Sequence, residues 1–340
     1  MKNKKTNSRI LLIGIITFTL GVVLVFMTGG SPIKTTQKSD KLSSVTVYNC
    51  GEEITFDAIP QRVLSFDTNM TEIMLKLGLK DHMTGYWISG VEVGEEFKED
   101  IGEIPLISTI TWPPPSLETI VSLDPDFVFG AWDYNFSNES GVTPEKLKEY
   151  GIKSYVLTES CIAIGVKPNE GIESTYDDIE NLGKIFHVEE KAKEVIDSMK
   201  SNISKIQEAT KDISPKPRGF YYGGGADAAF TAGKYAMVTK MMNAVGAENI
   251  LGDTEDDWIP AAGWETIIER DPEFIMIDDT PWESASDRIK TLESLDKLKS
   301  ITAIRNKKYI VFPWTYILPG VQMDKGIEHL ARNLYPELYQ

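Results

Sequence analysis

Two stretches of this chain echo each other in register. Ser116–Phe129 and Gly263–Met276 align without gaps. Glu118-Thr119-Ile120 stands against Glu265-Thr266-Ile267, and Asp124-Pro125 against Asp271-Pro272. Each Glu precedes its Pro by seven positions, and the two glutamates are 147 positions apart. A repeat at that spacing implies duplicated lobes. In each copy the Glu opens a short helix, where a carboxylate meets the positive end of the helix. The Pro ends that helix and a buried apolar strand follows. One such Glu would be only a helix-start residue. Two in register, one per lobe, form a candidate functional pair.

The length of 340 residues suits this reading, since it exceeds one ordinary core and allows two domains of roughly 130–150 residues each. Charged residues make up 25% and hydrophobic residues 41%, a globular balance. The net charge of −16 repels phosphate backbones, so nucleic acid is set aside as a partner.

Strands and helices alternate on both sides of the chain's centre. Val45–Tyr48 and Glu53–Phe56 read as a hairpin, Arg62–Phe66 and Asp126–Gly130 as buried strands, Thr71–Leu79 and Pro144–Tyr150 as helices. After Pro215 and Pro217 the alternation resumes with a strand over Gly219–Tyr222 and a helix over Met237–Val245. A strand over Phe274–Ile277, a strand over Tyr309–Phe312 and a last helix over Gly326–Leu334 complete it. Between the halves, residues 175–211 keep a helical period with no Pro, as one helix of more than 25 residues or two nearly continuous ones. The fold class expected is α/β with two lobes, each a mostly parallel central sheet with flanking helices, joined by a long rigid helix. The expected division is a basic segment over 1–9, a membrane anchor or signal segment over 10–27, a tether over 28–44, an N-terminal lobe over 45–174, the spine over 175–211 and a C-terminal lobe over 212–340.

Ile10–Met27 runs for 18 residues without a charge behind Lys2, Lys4, Lys5 and Arg9. As a helix it is ~27 Å long, near the ~30 Å hydrocarbon core. The basic flank stays cytoplasmic and the rest lies outside the cell membrane. A cleaved signal peptide is the other reading, with Thr28-Gly29-Gly30 as a fair cleavage site. Outside the membrane two thiols tend to pair, so Cys50 and Cys161 are expected to form a disulfide.

With the motifs Pro60–Ser65, Thr71–Gly78, Pro115–Glu118 with Pro125-Asp126, Tyr150-Gly151-Ile152, Trp264-Glu265 with Pro272, and Tyr335-Pro336-Glu337, residues 45–340 resemble the ABC-importer binding proteins for iron-siderophores, haem and cobalamin. The resemblance implies a bilobal protein with a helical backbone that passes a metal chelate to a permease dimer with its cytoplasmic ATPase. It implies that Glu118 and Glu265 dock on that permease, one per lobe. The N-terminus departs from the lipidated Cys common in the family, since no Cys precedes Cys50.

A ligand between two lobes is touched by loops at their strand ends. In the first half those loops carry Tyr86, Trp87, Trp112, Trp132 and Tyr134; in the second, Tyr221, Tyr222, Trp258, Trp314 and Tyr316. Such aromatics make a broad apolar face, with core packing as the plainer reading for any one of them. Lys234 is the best basic candidate; the chain has seven arginines, few of them in such loops, which argues against a strongly anionic ligand. His82, His187 and His329 are too scattered for a metal site, and no resident metal or cofactor is expected. Two rival functions stand beside an importer component. One is a membrane-anchored ligand sensor. The other is a dinucleotide-dependent enzyme built on Gly223-x-Gly225-x-x-Ala228, which lacks a helix start directly after it.

Overall fold

A computed structural model describes residues 44–110 and 112–339. The expected basic segment, anchor and tether lie outside the described residues, apart from Ser44.

The chain starts with an antiparallel hairpin, β1 (Val45–Asn49) and β2 (Glu52–Phe56). Cys50 and Gly51 both have positive φ, 47° and 88°, the pattern of a tight turn that follows the twist of its strands. Then come β3 (Val63–Phe66), α1 (Thr68–Lys76), β4 (Met83–Trp87), α2 (Lys98–Ile101), α3 (Leu117–Ser122), β5 (Phe127–Gly130), α4 (Pro144–Glu149) and β6 (Lys153–Val156). They form a four-stranded parallel sheet in the order β4-β3-β5-β6. Every residue of β3 and β5 is buried, as in a sheet covered on both faces.

After α5 (Glu173–Phe186) and α6 (Glu189–Thr210) of the central stretch, the second half holds β7 (Arg218–Tyr221), β8 (Ala229–Ala232), α7 (Met237–Ala244), β9 (Glu248–Asn249), β10 (Trp258–Ala262), α8 (Trp264–Arg270), β11 (Phe274–Asp279), α9 (Ala285–Ser294), α10 (Thr302–Arg305), β12 (Tyr309–Pro313) and α11 (Met323–Leu334). Its parallel sheet has the order β12-β11-β7-β9. In both sheets the first strand lies between the second and the third, and the fourth lies beyond the third. The duplication read from two short motifs is therefore a duplication of topology. The protein is two-lobed, and β8 with β10 adds an antiparallel pair to the second lobe.

The repeated motif has the same local build in each lobe. Asp124 (φ 48°) and Asp271 (φ 39°), each just before its Pro, take the left-handed backbone that Asp tolerates. The acid after each Pro binds the start of the first strand. Asp126 accepts from the Arg62 amide at 2.8 Å, and Glu273 from the Arg218 amide at 2.8 Å. An arginine returns the contact, Arg62 to the Asp124 carbonyl at 2.6 Å and Arg218 to the Asp271 carbonyl at 3.1 Å.

The central stretch is two helices, α5 (Glu173–Phe186) and α6 (Glu189–Thr210), broken where His187 takes φ 55°. They are not continuous. Gly183 lies against Ala192, where an added Cβ would approach the Ala192 Cβ to 2.6 Å, and Lys200 sits 4.9 Å from the Tyr176 ring. Those pairs run in opposite senses, so the helices fold back as an antiparallel hairpin. Only α6, ~33 Å long at 1.5 Å per residue, has the length of a spine. One apolar cluster runs from Val47 of the first lobe through Ile179, Val195 and Met199 to Met237 and Leu330 of the second.

The Gly223–Gly225 run makes the turn into β8, with the Gly223 amide donating to Phe230 O at 3.0 Å. No helix N-terminus follows it, which removes the geometry a pyrophosphate needs.

Candidate ligand cleft

A cavity of about 640 Å³ opens between the lobes. The first lobe supplies Asp133 and Tyr134, just past β5, and Ile162 with Ala163 from a 3-10 turn over Thr158–Ile164. The second supplies Phe230 on β8, Asp256, Asp257 and Trp258 at the start of β10, Pro260, and Trp314 after β12. Asp133 and Tyr134 follow β5, the 3-10 turn follows β6 and Trp314 follows β12, all at carboxyl ends of parallel strands, where an open α/β sheet binds its ligand, while Phe230, Trp258 and Pro260 come from the antiparallel β8–β10 pair. Phe230 and Trp258 stack with ring centroids 5.6 Å apart and planes 16° apart. Trp314 stands edge-on to Trp282, and its indole Nε1 has no hydrogen-bond partner among the described residues.

The cavity's polar groups are acidic. Burial raises the Asp257 carboxyl above its ordinary range, and the neighbouring charges of Asp133 and Asp256 push it the same way. Burial also raises the Tyr134 phenol, helped by Glu159, Asp67 and Asp257.

Of the aromatics expected at the cleft, Tyr134, Trp258 and Trp314 line this cavity, and Trp112 shares a neighbouring pocket of about 410 Å³ with Tyr134. Tyr86 and Tyr316 are half-buried beside the core. Trp87, Trp132, Tyr221 and Tyr222 belong to the core. Trp87 is 1% exposed and donates to Ile110 O, and the Tyr221 hydroxyl donates to Asp278 at 2.7 Å. An aromatic at a strand end reads the same in sequence whether it turns along the cleft or under a flanking helix. Lys234 is not a free cation: Glu170 and Glu255 hold its ammonium at 2.9 and 2.8 Å. Hydrogen bonds from Lys167, Lys234 and Tyr235 push the Glu255 carboxyl down to about 2.

Sequence reasoning missed Asp133, Asp256, Asp257 and Phe230. The signal was present, since Asp133 lies between Trp132 and Tyr134 and the pair Asp256-Asp257 abuts Trp258. It also missed the buried ion pair of Glu159 and Lys240, 3.3 Å apart between the lobes. Glu159 additionally accepts from the Met237 amide, capping α7, which has no side-chain cap of its own. The disulfide between Cys50 and Cys161 is present, with Cα atoms 5.3 Å apart. It ties the first hairpin to the 3-10 turn that carries Glu159, Ile162 and Ala163.

The family profile of the periplasmic binding proteins matches residues 63–315. The chain belongs to that family. An ABC transporter substrate-binding lipoprotein of Bacillus subtilis (strain 168), YvrC, is 25% identical over 310 residues, 90% of each chain. The petrobactin-binding protein YclQ of the same organism is 22% identical over 256 residues, 73% of each chain. The crystal structure of a periplasmic binding protein from Veillonella parvula superposes with a TM-score of 0.74 at 24% identity, covering 86% of this chain and 98% of its own. This is the class that the sequence resemblance implied: extracytoplasmic substrate-binding proteins of ABC transporters.

Glu118 and Glu265 are placed alike in their motifs: each stands in the first turn of its helix, α3 before β5 and α8 before β11. Both glutamates are exposed. A hydrogen bond from its own amide, with one from Ser116, holds the Glu118 carboxyl below the usual range. The described arginines are engaged away from the cavity: Arg270 pairs with Asp253, Arg288 with Asp278 and Glu283, and Arg332 with Glu328. Arg305 binds the Ser300 carbonyl.

Proposed function

We propose that this protein is the membrane-tethered binding component of an ABC importer, capturing a metal chelate between its lobes and delivering it to a permease dimer coupled to a cytoplasmic ATPase. The observation that carries the reading is the cavity of about 640 Å³ walled by both lobes, within the 300–1,000 Å³ typical of small-molecule sites. Its aromatic lining of Tyr134, Phe230, Trp258 and Trp314 gives a flat apolar contact, suited to a bulky chelate. Residues 10–27 supply the membrane anchor and 28–44 the tether, α6 joins the lobes, and no resident cofactor takes part.

Glu118 and Glu265 are the docking acids, meeting basic side chains on the two permease subunits. Exposed ion pairs are worth only about 0–1 kcal/mol each, so their value lies in register and encounter rate. The first test is a titration of the full chain with ferric siderophores, haem and cobalamin, followed by quenching of Trp258 and Trp314 fluorescence. Absence of quenching with every chelate refutes the chelate reading. The second is the pair Glu118→Ala with Glu265→Ala in an uptake assay. Uptake is lost while ligand affinity is kept; wild-type uptake in the double variant refutes the docking role.

A further inference from the structure

The sign of the ligand's charge can be read from the cavity. Its wall contains three aspartates, one from the first lobe and two from the second, and among the described lining residues there is no lysine, arginine or histidine. Two lysines meet Glu255, the residue before Asp256, but their charge is spent. Lys167 and Lys234 both bind Glu255, and Lys234 also binds Glu170. The second lobe's fully buried arginine, Arg288, is neutralised by Asp278 at 2.7 Å and Glu283 at 3.3 Å.

This arrangement costs the empty protein something. Asp133 approaches from one lobe and Asp256 with Asp257 from the other, and like charges brought together in a partly buried space repel. A cation between them removes that repulsion and finds aromatic faces on Phe230 and Trp258 beside it. An anionic ligand meets the opposite conditions: it is repelled, and among the described lining residues no basic side chain is present to receive it. A bare metal ion is poorly served too. Among the described residues no group of three or more His, Cys, Asp or Glu is spaced to hold one.

We propose that the ligand is a metal chelate of net positive charge, with its cationic group set against Asp133, Asp256 and Asp257 and its apolar flank on the Phe230–Trp258 stack. This rests on the reading of the cavity as an importer's ligand site.

The test uses three ferric chelates of similar size and different charge. They are a linear trihydroxamate with a pendant ammonium group, net +1, a cyclic trihydroxamate, net zero, and a tricatecholate, net −3. The full chain is titrated with each and tryptophan quenching is followed. The cationic chelate binds tightest, about a hundredfold tighter than the tricatecholate, and added salt narrows the gap. Asp133→Asn together with Asp256→Asn narrows it by about tenfold and moves the neutral chelate by about twofold at most. Both side chains are exposed, and Asn tolerates the positive φ of 62° at position 133, so the variant keeps its fold. Tightest binding of the tricatecholate, or an unchanged ratio in the double variant, overturns the inference and leaves the importer reading standing. Binding of none of the three overturns the inference, and the importer reading is then decided by the haem and cobalamin titrations.

Discussion

Lys240 carries a charge that water does not reach, and its partner comes from the other lobe. Its side chain is 0% exposed, the Glu159 side chain is 5% exposed, and Ser174 lies 3.4 Å from the ammonium. Burial outweighs the pairing and leaves the Glu159 carboxyl above its usual range. Removing one member of such a pair strands the other. We expect Lys240→Ala to lower stability by about 3–5 kcal/mol in urea unfolding, and Glu159→Leu with Lys240→Met to recover most of that loss. A single variant as stable as the double would contradict this. The pair was not legible in the sequence. Lys240 falls inside the apolar helix Met237–Ala244 and Glu159 lies 81 positions earlier, so no local pattern joins them. The aspartates of the cavity were more accessible, being written beside the very aromatics the sequence singled out.

At the scale of elements, the strands were legible because a covered parallel strand is a short apolar run between turn residues, as Phe127–Gly130 and Phe274–Asp279 are. The helical hairpin was not. The helical period continues through residues 186–189, and the turn is made by His187 in a left-handed conformation without a Gly or Pro to mark it. The disulfide acts between elements. Its partners are 111 positions apart, and in the chain-entropy model closing a loop of that size contributes up to about 4–5 kcal/mol. Its further effect is on the site, since Cys161 anchors the turn bearing Ile162 and Ala163. Cys50→Ala with Cys161→Ala is expected to lower stability by about 4 kcal/mol and to weaken ligand binding as well. Unfolding and fluorescence titration read the two separately, and full affinity in the variant would show that the turn holds its place unaided.

For the whole molecule, the seam between the lobes has its own titration. Gln322, just before α11, donates to Glu72 on α1 at 2.6 Å, and the Gly94 amide donates to the same oxygen at 2.8 Å. Burial pushes the Glu72 carboxyl up to about 7 from 4.5, against those hydrogen bonds. The folded state therefore holds this proton more tightly than the unfolded chain. Its stabilising effect is complete below about pH 4.5 and is lost as pH rises through about 7. Over that window Glu72→Gln is expected to gain about 3 kcal/mol relative to the parent in urea unfolding, while a parallel pair of pH profiles would exclude the seam as the source.

The same seam bears on motion. Asn69 donates to Pro319 O at 2.7 Å, Gln322 to Glu72, and Lys240 pairs with Glu159, all between lobes, around an apolar cluster without a break. A wide hinge opening would expose this cluster and strand the buried polar groups, each costing about 1–3 kcal/mol. Ligand capture must then proceed by loop and side-chain adjustment at the cavity rather than by a swing of the lobes. In small-angle X-ray scattering, saturation with a bound chelate should change the radius of gyration by less than about 1 Å, because packed interfaces shift between discrete arrangements rather than deform freely. A decrease of several ångströms would mean that the seam opens in the unliganded protein.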